Sequence, residues 1–413
     1  MKYENIIKNA ISFLISSQNT DGGIASECLG FGNSGCWTTA EVLEAFMQTD
    51  FYSLNLRNIA VILEMTNFLL DNYIPISDSM GYWSSENESP TMTTGHVIYA
   101  LNLVANKFLS NKTTNTINNI RIRNKFIKIE TLEKKIIDYN RNAFSWILFI
   151  RNNDNGWGVE NNQESSAISC YYVLKAFQAN GLNAANNDIV NLACVYIENN
   201  LKKLIIKKNK IGNEEFAQIL YSYITLHDCG YILKYNSKIK SSILSIIHKK
   251  WKIIYKSLEY NMNRTNYGFT NNLPWLVLNV LLRTEGYKFN RQLDKLIKYL
   301  SSSQELDGSW IIYKGQIKCN TWITAEILND FNLVQERYQN YLVHVLTKKK
   351  YRKLIITNAL LLIVCLTFII TYFASNYYFE NSSLINETWA FIVAVLGLVS
   401  SIFTILDYFF QKH

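Results

Sequence analysis

The stretch SSQNTDGGIASECLGFGNSGCWTTAEVLEAF, residues 16–46, decides the fold because a near-copy of it occurs later in the chain. The copy reads SSSQELDGSWIIYKGQIKCNTWITAEILNDF, residues 301–331. Both stretches pass from the end of one predicted helix through an Asp-Gly turn into a second predicted helix. Apolar residues recur in that second helix at three- and four-residue spacing, as on a packed helix face. A repeat of this kind requires a search for further units before any other interpretation.

Six units of this plan can be placed along the chain, each a helix, a Gly/Asn-rich turn and a second helix. A pair of helices cannot bury its apolar face alone, so the units must stack on one another. Six helical pairs are the number that closes an α/α ring. The units are residues 10–46, 65–104, 143–177, 193–226, 251–282 and 301–331.

The predicted fold is therefore all-α, an (α/α)6 toroid over residues 1–346. The second helices would form the inner ring, and the first helices the outer ring. In a closed ring the first and sixth units are neighbours. The shared pattern W-x-T-A-E-x-L-x-x-F, from Trp37 and from Trp322, would then meet at the seam.

The turns of these units carry a family resemblance. The segments QNTDGG from Gln18, NDNGWG from Asn153 and QELDGSW from Gln304 resemble the QW-type repeats of the prenyltransferase and squalene cyclase (terpenoid cyclase) superfamily. The resemblance covers residues 1–346. It implies a toroid with an apolar central cavity, of the kind often used on long isoprenoid chains.

The acid motif of the protonating cyclases is absent from the sequence. Those enzymes carry DxDD followed by Thr-Ala at the start of an inner helix, because protonating an alkene needs a carboxylic acid kept protonated by its neighbours. No DxDD occurs here, and no aspartate precedes Thr39–Ala40 or Thr324–Ala325. Glu164, shortly before Ser166–Ala167, stands where the central acid would be and is the one candidate catalytic acid.

The zinc motif of the protein prenyltransferases is also incomplete. The family implies an Asp, a Cys two residues later and a distant His. Cys170 fits, but Ile168 stands in the place of the Asp, and Asp228 is adjacent to Cys229 instead of two residues away. A catalytic zinc site needs three protein ligands with suitable geometry. The sequence therefore predicts no metal and no cofactor.

Several side chains on predicted inner helices are candidates for lining a cavity. The aromatic ones suit an apolar or isoprenoid chain, although packing between the two rings explains them as well. His96 also fits a structural role, Glu41 and Glu326 fit packing at the seam, and Glu214 fits the favourable charge at a helix start. The candidates are Trp37, Glu41, His96, Tyr171, Glu214, Trp275, Trp322 and Glu326.

The charge of the chain does not indicate nucleic-acid binding. The formal net charge is +8, and much of it lies in residues 111–135 and 348–353 instead of in an arginine-rich stripe. The seven cysteines are scattered and contain no CxxC pair. This usage indicates reduced thiols in a cytosolic compartment.

Two uncharged runs near the C-terminal end predict a transmembrane hairpin over residues 354–413. Leu354–Phe373 and Trp389–Leu406 are each long enough to cross a bilayer as a helix. A basic linker, residues 347–353, precedes the first run, and the connecting loop holds Glu380 and Glu387 without a basic residue. The positive-inside rule then places the large N-terminal part and the C-terminus in the cytoplasm, at the cytoplasmic membrane. The hairpin could also provide a surface for oligomerisation.

Two functions remain open from the sequence. In the first, the toroid binds an isoprenoid, a lipid or a peptide without the usual catalysis, and acts as a sensor joined to its membrane hairpin, as in effectors of bacterial defence systems. In the second, the chain is a divergent membrane-bound terpene cyclase or prenyltransferase that uses Glu164. The loss of DxDD and of the zinc ligands favours the first.

Overall fold

The structure is a computed structural model that describes the greater part of the first three hundred and thirty-five residues. The chain divides into two compact units, Met1–Glu336 and Arg337–His413. Apart from Gly397, every described residue belongs to the first unit. The described ranges are 3–26, 32–49, 56–85, 88–109, 119–122, 125–206, 211–231, 241–247, 274–283, 290–310, 320–335 and residue 397.

The described residues are mostly α-helical, which confirms the predicted all-α class. The fourth helix continues into a π-helix, Val104–Leu109. In chain order the helices are α1 (Glu4–Ser16), α2 (Cys36–Gln48), α3 (Leu56–Asp71), α4 (Pro90–Leu103), α5 (Ile129–Phe149), α6 (Ala167–Ala179), α7 (Asp188–Ile206), α8 (Asn213–Asp228), α9 (241–247), α10 (Pro274–Arg283), α11 (Asn290–Ser302) and α12 (321–335).

None of the helices in these ranges combines the length and the apolar character that a membrane crossing requires. The predicted spans Leu354–Phe373 and Trp389–Leu406 lie outside the described residues, apart from Gly397 within the second.

Two short antiparallel hairpins interrupt the helices, where the sequence predicts only turns. β1 (Tyr73–Ser77) pairs with β2 (Met80–Trp83) so that Tyr73 lies opposite Trp83. β3 (Asn119–Ile122) pairs with β4 (Lys125–Lys128). The first hairpin lies between α3 and α4, and the second lies between α4 and α5. The alternation of first and second helices in the units is therefore unchanged.

The Asp-Gly turns of the first and sixth units have the same hydrogen bonds. Gln18 donates through Nε2 to the carbonyl of Gly22 at 3.0 Å, and Gln304 donates to the carbonyl of Gly308 at 3.0 Å. Gly22 and Gly308 have φ angles of 91° and 94°, a region that glycine enters at low cost. The glutamine and glycine of the repeated sequence therefore build one local structure twice.

In three units, a buried tryptophan in the segment between the two helices is hydrogen-bonded to the end of the first helix. Trp157 donates through Nε1 to the carbonyl of Ile147 at 2.8 Å, and Trp310 donates to the carbonyl of Leu300 at 2.8 Å. Trp83 forms the equivalent bond in the second unit. Each of these tryptophans is fully buried. The ring fills the space between two helices, and its N–H satisfies a helix-terminal carbonyl.

The even-numbered helices are buried more completely than the odd-numbered ones. Every α2 residue from Thr38 to Met47 is buried, whereas α1 buries only one face, through Ala10, Ile11, Phe13 and Leu14. The even-numbered helices also pack against one another in succession, α2 on α4, α4 on α6, α6 on α8 and α8 on α10. A helix that is buried all round lies inside its domain.

In the first and sixth units, the glutamine that closes the turn also reaches the first helix of another unit. Gln18 donates to the carbonyl of Val61 on α3 at 3.3 Å. Gln304, in the sixth unit, donates to the carbonyl of Ile6 on α1 at 2.9 Å. The sixth unit thus contacts the first in the way that the first contacts the second.

The starts of two inner helices repeat this relation. The backbone N–H of Cys36, at the start of α2, donates to Ser85 Oγ in the next unit at 2.9 Å. Thr321 is the matching residue at the start of α12, and its Oγ1 donates to the carbonyl of Ser26 at 3.0 Å. Ser26 follows Ile24 by two residues, as Ser85 follows Trp83.

Candidate functional site

The inner helices carry stripes of half-buried side chains among fully buried neighbours. On α6 the half-buried residues include Tyr171, Lys175 and Gln178, and on α12 they begin with Trp322, Glu326 and Asn329. Both sets follow i, i+4, i+7 spacing, which places their members on one helix face. A helix that is otherwise buried therefore has one face that is less tightly covered.

The same spacing on α2 and α10 selects residues of similar chemistry. On α2 it joins Trp37 with Glu41 and Glu44, and on α10 it joins Trp275 with Asn279. The face therefore starts with an aromatic ring near the beginning of each helix and continues with polar or charged groups.

Aromatic side chains from five of the even-numbered helices form a layer at the level of Trp37 and Tyr171. The ring centroids of Trp37 and Tyr172 are 4.3 Å apart, and those of Tyr171 and Tyr221 are 5.1 Å apart. The aromatic layer also includes the pair Trp275 and Trp322, with centroids 6.3 Å apart. The sequence selects four of these six as candidates on inner helices, and the structure places all six on α2, α6, α8, α10 and α12.

A buried ion pair lies beside this layer. Lys175 Nζ is 2.6 Å from Glu44 Oε2 and 2.8 Å from Glu44 Oε1. The same ammonium group lies 4.6 Å from the ring centroid of Tyr99 and 5.3 Å from that of Tyr171, a cation–π arrangement. The charge of Lys175 is thus held by one carboxylate and by the faces of aromatic rings.

The attraction between the two charges of this pair offsets the cost of removing each of them from water. Burial alone would raise the pKa of Glu44, but the charge of Lys175 and the hydrogen bond from His96 lower that pKa to about 2. Burial would lower the pKa of Lys175, and the carboxylate of Glu44 instead raises it well above its ordinary value. Both groups are therefore ionised at neutral pH.

His96 is fully buried between two glutamates of α2. Its Nε2 lies 2.8 Å from Glu44 Oε2, and its Nδ1 lies 3.4 Å from Glu41 Oε2. Burial lowers the pKa of His96, so the ring is neutral, and it donates through Nε2–H to the Glu44 carboxylate. The Nδ1 atom makes no hydrogen bond to any described group.

Glu41 and Glu326 form a pair of carboxyl groups at the contact between α2 and α12. They are hydrogen-bond partners, and burial followed by the charge of Glu326 raises the pKa of Glu41 well above its ordinary value. Burial is also the main cause that raises the pKa of Glu326 to about 7. Two interacting buried carboxyl groups resist ionising together, because an ionised carboxylate raises the pKa of the other carboxyl group.

A second polar group joins α8, α10 and α12. Arg283 makes a bidentate pair with Asp228, at 2.7 Å from Nε to Oδ1 and 2.7 Å from Nη2 to Oδ2. Arg283 also donates to Asn279 Oδ1, and Asn279 Nδ2 donates to Asp330 Oδ1 at 2.7 Å. This chain of contacts connects three inner helices by side chains that belong to different units.

The structure brings most of the sequence-based candidates together but separates two of them. Glu214 is exposed in the first turn of α8, in keeping with a favourable charge at a helix start. Glu164 is exposed on the loop that precedes α6, among the amide side chains of a surface groove with Asn152 and Asn162. Glu164 is therefore not part of the buried cluster.

The residues closest to the prenyltransferase zinc motif do not converge. Burial raises the pKa of the Cys170 thiol to about 12, and the backbone N–H of Trp157 donates to it. Asp228 is held by Arg283 instead, and Cys229 Sγ accepts from Gln178 at 3.1 Å. Zinc binds the thiolate, so these residues do not fit that family's metal site.

Sequence reasoning missed Lys175 and Glu44. Lys175 is the only charged residue of α6, a helix that the sequence predicts to be internal. A charge that is alone in an apolar helix needs a buried partner. That isolated lysine was the available signal, and Glu44, one helical turn after Glu41, was the available partner.

Comparison with known proteins identifies no family for this chain. No protein-family profile matches it, and no curated protein is similar in sequence. A solved structure, described as the crystal structure of a protein from Actinoplanes, is similar with a TM-score of 0.42 and 10% sequence identity. The match covers 80% of this chain and 99% of that one. A likeness at this level supports no inference about function.

Proposed function

We propose that residues 1–346 form a closed (α/α)6 toroid that binds a neutral apolar ligand, an isoprenoid or another lipid, on the inner face of the ring. The observation that carries the proposal is the half-buried face of the inner helices, with an aromatic layer at one end. In a ring of helical pairs, a less covered face of an inner helix points to the centre. Ligand sites lined by aromatic side chains suit apolar ligands.

The contacts between the first and sixth units support closure of the ring. Gln304 reaches α1 as Gln18 reaches α3. Thr321 reaches the turn of the first unit as Cys36 reaches the turn of the second. An open stack would leave its first and last units without such mutual contacts.

The pairing of charges supports a neutral ligand. Lys175 is paired with Glu44, and Arg283 is paired with Asp228. Both cations of the described inner face are thus neutralised within the chain. A phosphate or carboxylate ligand would have to compete with these buried carboxylates, whereas an apolar chain contacts the aromatic layer without that cost.

The membrane hairpin is part of the same proposal. The spans Leu354–Phe373 and Trp389–Leu406, with the basic residues before the first of them, would hold the toroid at the cytoplasmic face of the membrane. A lipid ligand is then supplied from the membrane itself. Binding inside the ring and a signal through the hairpin together would make the protein a membrane-anchored lipid sensor.

The alternative function, a divergent terpene cyclase or prenyltransferase, depends on Glu164 as its acid. A protonating residue must lie within hydrogen-bond reach of the substrate. Glu164 is exposed outside the buried cluster, so it cannot act on a ligand held by the aromatic layer.

Ligand binding can be tested by lipid extraction and mass spectrometry of the full chain purified in a mild detergent. We expect one apolar lipid at a fixed ratio to protein in the wild type, and its loss in Tyr171→Ala, which removes a ring from the aromatic layer. Tyr139→Ala is the matched control, because Tyr139 stacks on Tyr73 of β1 away from the inner face. Equal lipid content in both variants would contradict the proposal, since lipid carried by the hairpin alone is insensitive to either change.

Closure of the ring can be tested with Gly308→Ala. A Cβ at Gly308 would lie within 2.2 Å of the carbonyl oxygen of Asn9 on α1, so the contact between the sixth and first units must open. We expect the free energy of unfolding to fall by about 1–3 kcal/mol more than in Gly181→Ala. Gly181 has a φ of 73°, and a methyl group added there would meet no atom within 4 Å, so this variant measures backbone strain alone. Equal losses in the two variants, measured by chemical denaturation, would indicate that the units do not meet.

A further inference from the structure

Three side chains at the contact of α2 and α4 have the arrangement of metal ligands. Glu41, Glu44 and His96 each offer one ligand atom, and these atoms lie within 4.8 Å of one another. His96 is 0% exposed and Glu41 is 1% exposed. A buried carboxyl group needs either a proton or a compensating positive charge. Glu44 has one in Lys175, and Glu41 has no described cation in contact.

The orientation of His96 is the second observation. Its Nε2–H donates to Glu44, which leaves the lone pair of Nδ1 directed to the side of Glu41. The Nδ1 atom is fully buried and makes no hydrogen bond within the described residues. Histidines that bind metals usually donate their other ring N–H to a carboxylate. Here Glu44 is the carboxylate that accepts the other ring N–H of His96.

We propose that His96 Nδ1 and Glu41 Oε2 bind a first-row divalent cation, with Glu326 as the third protein ligand. Zinc lies about 2.0–2.2 Å from such nitrogen and oxygen ligands, so two of them in a tetrahedral site are about 3.4 Å apart. The distance from His96 Nδ1 to Glu41 Oε2 is 3.4 Å. Glu326 faces Glu41 closely enough for the two carboxyl groups to interact, and a cation between them would compensate both carboxylates.

The charges and the donor atoms agree with this assignment. The carboxylates of Glu41 and Glu326 balance a divalent cation, and Lys175 balances Glu44, so the buried site is neutral. A set of one imidazole nitrogen and carboxylate oxygens suits Zn²⁺ or Mn²⁺ better than Mg²⁺ or Ca²⁺, which prefer oxygen alone. The proposed metal centre lies beside the aromatic layer, with the ring centroids of Trp37 and His96 5.3 Å apart, and it revises the sequence-based prediction that no metal is bound.

The test uses the full chain in detergent, stripped with a chelator and then titrated with Mn²⁺ or Zn²⁺. We expect one equivalent to be retained after gel filtration. Mutating a residue that only hydrogen-bonds to a metal ligand typically lowers metal affinity by about 10–100-fold. Glu41→Gln removes the charge of a ligand itself, so we expect it to weaken metal binding by about 100-fold or more. The matched control is Glu198→Gln, a buried glutamate on α7 outside the cluster, which should bind as the wild type does. Retention of less than one equivalent by the wild type, or equal binding by the two variants, would overturn the proposal.

A spectroscopic measurement keeps the test independent of the folding of the variants. Mn²⁺ bound to the wild-type chain should show a nitrogen coupling from one imidazole in its pulsed EPR spectrum. A stoichiometric Mn²⁺ signal without nitrogen coupling would place the ion elsewhere and refute the assignment to His96.

Discussion

Lys175→Met is expected to lower the free energy of unfolding by about 3–5 kcal/mol, the cost of removing one partner from a buried ion pair. Methionine fills much of the space of the lysine stem, so the loss is mainly electrostatic. The carboxylate of Glu44 would remain buried, with His96 as its only described neighbouring donor. Chemical denaturation of the full chain in detergent measures the change.

A double-mutant cycle separates the pair from its surroundings. Combining Lys175→Met with Glu44→Gln should recover part of the loss, because the second change removes the uncompensated charge. Arg141→Met is the control, since Arg141 and Asp138 form an exposed pair on α5, and such pairs contribute little. Equal destabilisation by Lys175→Met and Arg141→Met would show that Lys175 is not buried against Glu44.

Trp310→Ala should cost about 3–5 kcal/mol, as expected for removing a fully buried tryptophan from a core. The indole ring stacks on Phe331 of α12 with centroids 6.0 Å apart, and its Nε1–H donates to the carbonyl of Leu300. Trp310→Phe should cost less, about 1–3 kcal/mol, because it keeps an aromatic ring there and leaves only that carbonyl without its donor.

The control for this tryptophan lies in the same turn. Leu306 is fully exposed, so Leu306→Ala should leave the free energy of unfolding unchanged. Chemical denaturation of the four chains measures the series. An equal cost for the phenylalanine and alanine variants would mean that the hydrogen bond, and not the buried ring, stabilises the turn.

The helices and their turns could be predicted because they depend on residues close together in the chain. The spacing of apolar residues indicated the helical pairs, and the Asp-Gly turns after Gln18 and Gln304 have matching structures. The aromatic side chains of the inner helices were predicted for the same reason, since helical spacing determines which residues share a face. The membrane hairpin stays a prediction, because its spans lie outside the described residues.

The candidate site could be predicted only in part. The sequence selected Glu41, His96 and Glu326 as candidates for lining a cavity, with seam packing and a structural role as the alternatives. It also proposed Glu164 as an acid, because Glu164 stands where the resemblance to the cyclase motif places the central acid. Spacing along the chain cannot tell whether a loop side chain faces a core or the solvent, and the structure places Glu164 at the surface.

By itself, the sequence determined the all-α class, the order of the helices and the chemistry of each inner helix face, because these follow from local periodicity. Only the tertiary structure decided which charges meet. Lys175 and Glu44 are 131 residues apart in the chain, and Arg283 and Asp228 are 55 apart. Their pairing depends on the rotation and depth of each helix against its neighbours. A buried charge is tolerated only where that packing places an opposite charge within contact distance.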